Sequence, residues 1–380
     1  MNTVVGALGA LGPTSPSFRV RTRVPSAELG RYGVEMRHAP LLSEEEDHLF
    51  HSGGVATRAR TLLAARSRLA RLLEARADWD VALVQRQVDL MPSLRLERLA
   101  AEGKRVVLDV DDAIWHDGSA AAGGHPLARL KGTARKVRWL ARRAQKVIAG
   151  NELLAEWLSA YSPHVVVIPS LVDPRLIPAR VHSPGGRVVL GWLGSPSTAR
   201  SLTAVAGALT RTAGILRTPT ELRVVGGPAP RVSGIDVRQQ PWSPQSERAF
   251  LDEVDIGLMP LPDNEWTRGK CAYKALQYMA AGVPVVADDV GVSARVIGHG
   301  QGGLIARGVD EWTEHLVALA TNPALRARLG GAGRQRVEQD FSVEAWAPEL
   351  AAALAGDDPA AKAETLSYSG AEARFRSASQ

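Results

Sequence analysis

Apolar residues in this chain cluster into short runs separated by longer amphipathic stretches. Runs at 3–8, 79–85, 105–110, 146–149, 165–169, 188–193, 222–227, 256–261 and 283–287 are long enough for buried strands and too short for globular helices. Between them, 199–209, 244–253, 272–280, 310–319 and 323–339 carry apolar residues at helical spacing. Strand alternating with helix predicts α/β architecture with parallel sheets. The pattern runs down at 178–187, PARVHSPGGR, a linker by composition, and restarts at 188 with VVLGWLG. A chain of 380 residues exceeds the size of a single core, so two doubly wound, Rossmann-like domains are expected. Their expected extents are 1–180 and 187–345, with a helix over 346–355 crossing back to the first and a disordered tail over 356–380 that lacks apolar periodicity.

The most informative stretch is 254–291, VDIGLMPLPDNEWTRGKCAYKALQYMAAGVPVVADDVG. It reads as strand, polar loop over 263–269, helix, strand. In a parallel sheet, ligands bind beyond the carboxyl ends of strands, where the next helix begins. Arg268, Lys270 and Lys274 fall at that place, among helix amides that attract anions. Cations oppose the dipole of a helix amino terminus, which favours a diphosphate-sized anion there over lysines that are merely solvated.

The segment Gln277–Val286, QYMAAGVPVV, resembles the donor-site signature of family 4 retaining glycosyltransferases of the GT-B fold. That fold places two doubly wound domains opposite each other across a cleft. In the family, two glutamates seven residues apart hold the donor sugar and the nucleotide ribose; here the matching positions are Gly269 and Gln277. Gln277 retains hydrogen-bonding capacity toward a ribose, whereas Gly269 has no side chain to offer. The resemblance implies a donor site made of Gly194, Ser195, Thr198, Gly226, Asn264, Lys270, Lys274 and Gln277. Hydroxyls and amides at Ser195–Thr198 suit a phosphate, or Ser197 and Thr198 simply cap the next helix.

On the amino-terminal side, SFRVRTRV resembles the loop that opens the family's first domain, so Ser17 and Arg19, with Arg21, are expected on the acceptor side, or else as surface arginines. Arg86, also expected on the acceptor side, ends one strand and Asp109-Val110-Asp111-Asp112 ends the next. Asp-x-Asp is formally the metal signature of the other glycosyltransferase fold. Because the nucleotide-like features come after Val254, the metal reading is rejected, and no metal or cofactor is expected beyond the nucleotide-sugar substrate. Asp111 and Lys270 are the residues expected to act on the reacting sugar and diphosphate; Asp112 is expected on the acceptor side or as a cap.

Composition adds partners rather than fold. The net charge of +6 favours anionic ligands. The single cysteine, Cys271, excludes an intrachain disulfide and fits a reducing compartment. Stretches 57–76 and 127–147 are basic; the first places Leu62, Leu69, Leu72 and Leu73 on one stripe, and the second carries Arg129, Lys131, Arg135, Lys136, Arg138, Arg142, Arg143 and Lys146 with no acid. Either these are solvated faces or they rest on an anionic membrane. The expectation is a cytoplasmic enzyme, peripheral at the inner membrane face in the second case. It would transfer a hexose-type sugar, by default from a UDP-sugar, to a hydroxyl of a small-molecule or lipid-linked acceptor, with no nucleic acid involved. The departures at Gly269 and Gln277 leave a second reading, a degenerate protein that binds or regulates without turnover.

Overall fold

The short apolar runs become central strands because parallel sheets are covered on both faces and tolerate Val-rich, non-alternating segments. A computed structural model describes residues 2–75, 78–116, 132–182 and 186–356. Among these residues the chain forms two compact units, one up to Leu171 together with the part from Val343 onward, the other Val172–Ser342.

The first unit contains β1 (Thr3–Gly9), β2 (Val34–His38), β3 (Val81–Gln85), β4 (Arg105–Val110), β5 (Lys146–Ala149) and β6 (Val165–Val167). They lie parallel in the order β2-β1-β3-β4-β5-β6, with Val5 opposite Val34 in neither pair but opposite Met36 on one side and Val81 on the other. One face buries Val5, Leu83, Val107 and Ile148 against Phe18 and Leu29. The helix Val343–Ala355 adds Val343, Trp346, Leu350 and Leu354 to the same core.

The second unit contains β7 (Val188–Leu193), β8 (Thr220–Val225), β9 (Asp236–Gln240), β10 (Ile256–Met259), β11 (Val285–Asp288) and β12 (Gly303–Ala306), ordered β12-β11-β10-β7-β8-β9 and all parallel. The strand order reverses between β7 and β10, and in the first unit between β1 and β3. Crevices form at such reversals because successive helices leave to opposite faces of the sheet. Part of the predicted linker packs on this unit: the Arg180 N–H donates to the Ala281 carbonyl at 2.8 Å, and its guanidinium to Asp255 at 2.9 Å.

Several sequence expectations are corrected by packing. Arg21 is neither a surface nor an acceptor-facing group. It is 6% exposed, and its Nε and Nη2 donate to Asp109 at 3.0 and 2.6 Å, while Nη1 donates to the carbonyls of Ile168 and Pro169 at 3.0 and 2.6 Å. One guanidinium therefore ties the turn after β1 to the ends of β4 and β6. In the helix Val55–Glu74 the buried stripe is Ala65, Leu69 and Leu73, and Leu72 stays 40% exposed. In the helix Thr133–Arg143, Lys136 is not solvated: it is fully buried, with Nζ 2.8 Å from Glu97 and donating to the Asp89 carbonyl at 2.7 Å. Arg76, Arg129, Lys131 and the tail from 357 lie outside the described residues.

Breaking the Arg21–Asp109 pair from one side strands a buried carboxylate. Arg21→Met is expected to destabilise the first unit by about 3–5 kcal/mol, read as a lowered unfolding midpoint in urea. The double variant Arg21→Met/Asp109→Leu is expected to recover most of that loss.

Candidate functional site

At the strand-order reversal of the second unit, two loops leave adjacent strands. After β10, the stretch expected to be an open loop contains a one-turn helix, Glu265–Arg268. Asn264 is its cap: its side-chain oxygen accepts from the Thr267 N–H at 3.0 Å, and Thr267 Oγ1 accepts from the Asn264 N–H at 3.1 Å. The side-chain oxygen of Asn264, a residue expected on the donor, is thus engaged in a local cap. Arg268, expected at the anion site, is paired with Asp263 at 2.6 Å. Ala272 then adopts φ +52°, a left-handed conformation that is strained for a residue with a Cβ, immediately before the helix Tyr273–Ala280. Cys271 is buried beside it.

Lys270 and Lys274 are held by aromatic rings. Lys270 Nζ lies 3.6 Å from the centroid of Trp266, and Lys274 Nζ 4.3 Å from that of Trp192. Trp192, at the end of β7, is fully buried. Gly194 makes room for this arrangement, since a Cβ there would lie 2.6 Å from the Trp192 ring and 2.8 Å from Lys274 Nζ. Among the described residues no carboxylate or carbonyl pairs with Lys274. Burial, reinforced by the neighbouring Lys270, pushes its pKa down to about 7. An ammonium on a ring face at a helix amino terminus, beside a second ammonium, has every electrostatic reason to receive an anion.

One helical turn further, Gln277 is buried and its Nε2 donates to Glu247 Oε1 at 3.0 Å. The other oxygen of Glu247 accepts from Trp242 Nε1 at 2.7 Å. Gly226 follows β8 at φ +87°, where a Cβ would collide with the Gly194 carbonyl and approach Trp242 Cβ at 3.1 Å. Gly194, Gly226, Lys274 and Gln277 are therefore brought together. Ser195 and Thr198 follow β7 on an exposed 3-10 turn; their hydroxyls are 3.5 Å apart, and Thr198 Oγ1 donates to the Ser195 carbonyl at 3.0 Å. Neither Ser197 nor Thr198 makes a side-chain cap for the helix Arg200–Ala204. Trp192, Trp242, Glu247 and Trp266 escaped the sequence reading. The only signal was their position, within three residues of a strand end or helix start.

The first unit gathers a second polar cluster at the carboxyl ends of β3 and β4. Arg86 follows β3 at φ +64° and, with Ala272, is one of two non-glycine residues of positive φ among those described. Its Nε donates to Asp111 Oδ1 at 2.6 Å, and Nη2 lies 3.5 Å from Asp112. Gln85 donates to Asp111 at 2.9 Å, and Ser17 also hydrogen-bonds that carboxylate. Burial works to raise the Asp111 pKa, but Arg86 and Arg21 outweigh it and hold the carboxyl below its ordinary range. Asp112 accepts from the Ala113 N–H at 3.1 Å, and no helix follows over 113–116. Arg19 is half-buried at the start of a π turn, Arg19–Arg23. Both carboxylates of the Asp-x-Asp sequence are thus neutralised by arginine, Asp109 by Arg21 and Asp111 by Arg86.

The outer helices of this unit are basic. Arg95, Arg98, Arg135 and Arg143 line an open groove of about 870 Å³ with Leu99 and Trp139. Arg138 and Arg142 lie over Tyr161 at 5.7 and 5.2 Å. Among the described residues no helix is long and apolar enough to cross a membrane.

Residues 188–322 match the model of the family described as glycosyl transferases group 1. Among solved structures, sucrose-phosphate synthase from Thermosynechococcus elongatus aligns with a TM-score of 0.64 at 14% identity, covering 92% of this chain and 97% of that one. HepE of Anabaena, in complex with UDP and glucose, aligns with a TM-score of 0.64 at 13% identity over 94% of this chain and all (100%) of the other. WaaG, a glycosyltransferase involved in lipopolysaccharide biosynthesis, aligns with a TM-score of 0.59 at 16% identity, covering 93% and 100%. No curated protein matches. At such identities the solved structures speak for the fold, and the family match runs from β7 to the end of the 308–321 helix. The chain has the two-unit GT-B fold, and residues 188–322 of its second unit are similar to the glycosyl transferases group 1 family.

Proposed function

We propose that this protein is a retaining transferase that moves a hexose-type sugar from a UDP-sugar to an acceptor hydroxyl. The observation that carries the reading is Lys274, an ammonium without an anionic partner among the described residues, set on Trp192 beside Lys270 at the β7–β10 reversal. A nucleotide diphosphate supplies the charge that site lacks. As the bond from the sugar's anomeric carbon to the diphosphate oxygen breaks, negative charge grows on the leaving group. Lys270, Lys274 and the first amides of the helix Tyr273–Ala280 stabilise it electrostatically. The acceptor oxygen bonds to the same face of the sugar, and its proton passes to a diphosphate oxygen, so the configuration is kept without a separate protein base. Two lysines fill the part that a divalent cation plays elsewhere, which makes the reaction metal-independent in this reading.

Asp111, ionised and fixed by Arg86, Gln85 and Ser17, is suited to accept hydrogen bonds from sugar hydroxyls rather than to carry a proton near neutral pH. The acceptor class follows from the basic outer helices. Exposed Arg135, Arg138, Arg142 and Arg143, with Trp139 at the groove, favour an acceptor carried by an anionic bilayer.

A thermal-shift panel of nucleoside diphosphates and nucleotide sugars, with and without EDTA, tests the donor site. UDP or a UDP-sugar at a hundredfold excess over Kd is expected to stabilise by about 2.7 kcal/mol, unchanged by EDTA and absent in Lys274→Ala. Silence toward every nucleotide favours the binding-partner reading instead, and an EDTA-sensitive shift revives a metal. Proton NMR of the product's anomeric signal is expected to show the donor's own configuration; inversion removes the same-face mechanism. Co-sedimentation with vesicles is expected with phosphatidylglycerol and not with phosphatidylcholine alone, weakening in high salt and in Arg135→Glu/Arg138→Glu/Arg142→Glu. Equal binding to both vesicle types contradicts the electrostatic contact.

A further inference from the structure

A lysine becomes a nucleophile when it is desolvated or set beside a second cation, since both favour its neutral form. Lys274 meets both conditions. Its Nζ stands on the Trp192 ring, 4.3 Å from the centroid, with no carboxylate or carbonyl partner among the described residues, and Lys270 is the charged group that acts on it. The side chain is half-buried, so a small reagent reaches it from solvent. Gly194 keeps that side of the amine uncovered, because a Cβ there would lie 2.8 Å from Nζ. With a pKa of about 7 against the ordinary 10.5, most of the amine is neutral near pH 8.

The surroundings also select the product. The helix Tyr273–Ala280 begins without a side-chain cap, so its amino terminus keeps its positive potential, and Lys270 adds a whole charge. An anion formed on Lys274 is stabilised by both. Ordinary acylation would leave the nitrogen neutral and gain nothing from them, whereas carbon dioxide converts an amine into an anion with no activating group.

We propose that Lys274 is a carbamate site, at which carbon dioxide adds to Nζ in the free protein and keeps the donor out. The nitrogen lone pair bonds to the carbon, one C=O electron pair moves to oxygen, and the displaced N–H proton passes to water or buffer. Nothing is oxidised or reduced. The carbamate exchanges a cation for an anion where a diphosphate would be received, so the two exclude each other. The modification stands without the donor reading given above; the exclusion rests on it.

The test equilibrates the full chain with carbon-13 bicarbonate near pH 8, fixes carbamates as esters with a trialkyloxonium ion, and maps the label by peptide mass spectrometry. Label is expected on Lys274 and not on Lys270, and saturating UDP added before trapping is expected to remove it. No label on Lys274, or label spread evenly over the chain's lysines, overturns the proposal. Label on Lys274 that persists under UDP overturns the exclusion; where UDP also gives no thermal shift, the failure belongs to the donor reading and the modification stands on the trapping alone. If half the chains carry the carbamate, the apparent Kd for UDP rises about twofold relative to chloride of equal ionic strength. Lys274→Arg is expected to show no such rise, and the same rise in that variant overturns the exclusion.

Discussion

The arrangement of the second unit turns on an ammonium in an unfavourable place. Lys274 sits at the amino terminus of a helix, whose amides repel it, beside another lysine and on a buried indole. Its pKa near 7 lies below the ordinary 10.5 because burial penalises the charged form. Between those values the unfolded chain binds a proton that the folded chain does not, so the destabilisation is full below about pH 7 and fades as pH rises toward 10.5. Such a cost persists in a fold when something bound to the native state removes it. An anion does so, and the same charge that destabilises the free protein then stabilises the complex.

The rest of the unit is arranged so that this lysine has nowhere else to go. Gly194 and Gly226 bring the ends of β7 and β8 close enough to seal Trp192 beneath it, and a Cβ at either glycine would meet another group. Ala272 takes a left-handed conformation to start the helix at the right residue. In the first unit the same economy appears at Arg86, the other non-glycine residue of positive φ among those described, whose guanidinium fixes Asp111. The strain lies just after the carboxyl end of β3 at Arg86 and at the start of the helix that follows β10 at Ala272, the two kinds of place where parallel sheets bind ligands.

The strands were legible from composition because parallel sheets demand continuous apolar runs, and β4, β5 and β7 begin and end where those runs do. The two glycine-lined turns and the lysines were legible because helix amino termini and strand ends have fixed relations in such sheets. What the sequence hid were partnerships between distant residues. Arg21 and Asp109 looked like separate site residues, and each exists to neutralise the other. Lys136 lay in a run of basic residues that reads as solvated, yet it pairs inside the unit with Glu97 from another helix. Glu247 sits thirty positions before Gln277 and shares no motif with it, so only the fold joins them. Asn264 was expected on the donor from the resemblance, and only the fold shows that its side-chain oxygen accepts from a threonine three residues on.

The most direct test of the central claim is the proton count on donor binding. Calorimetric titration of UDP-glucose, whose diphosphate does not titrate in this range, is run near pH 8 in buffers of different ionisation enthalpy. If the diphosphate is received by Lys274, the protein takes up close to one proton per nucleotide sugar bound, and Lys274→Arg, charged throughout, takes up none. Binding without proton uptake in the wild type, or the same uptake in Lys274→Arg, would contradict the account.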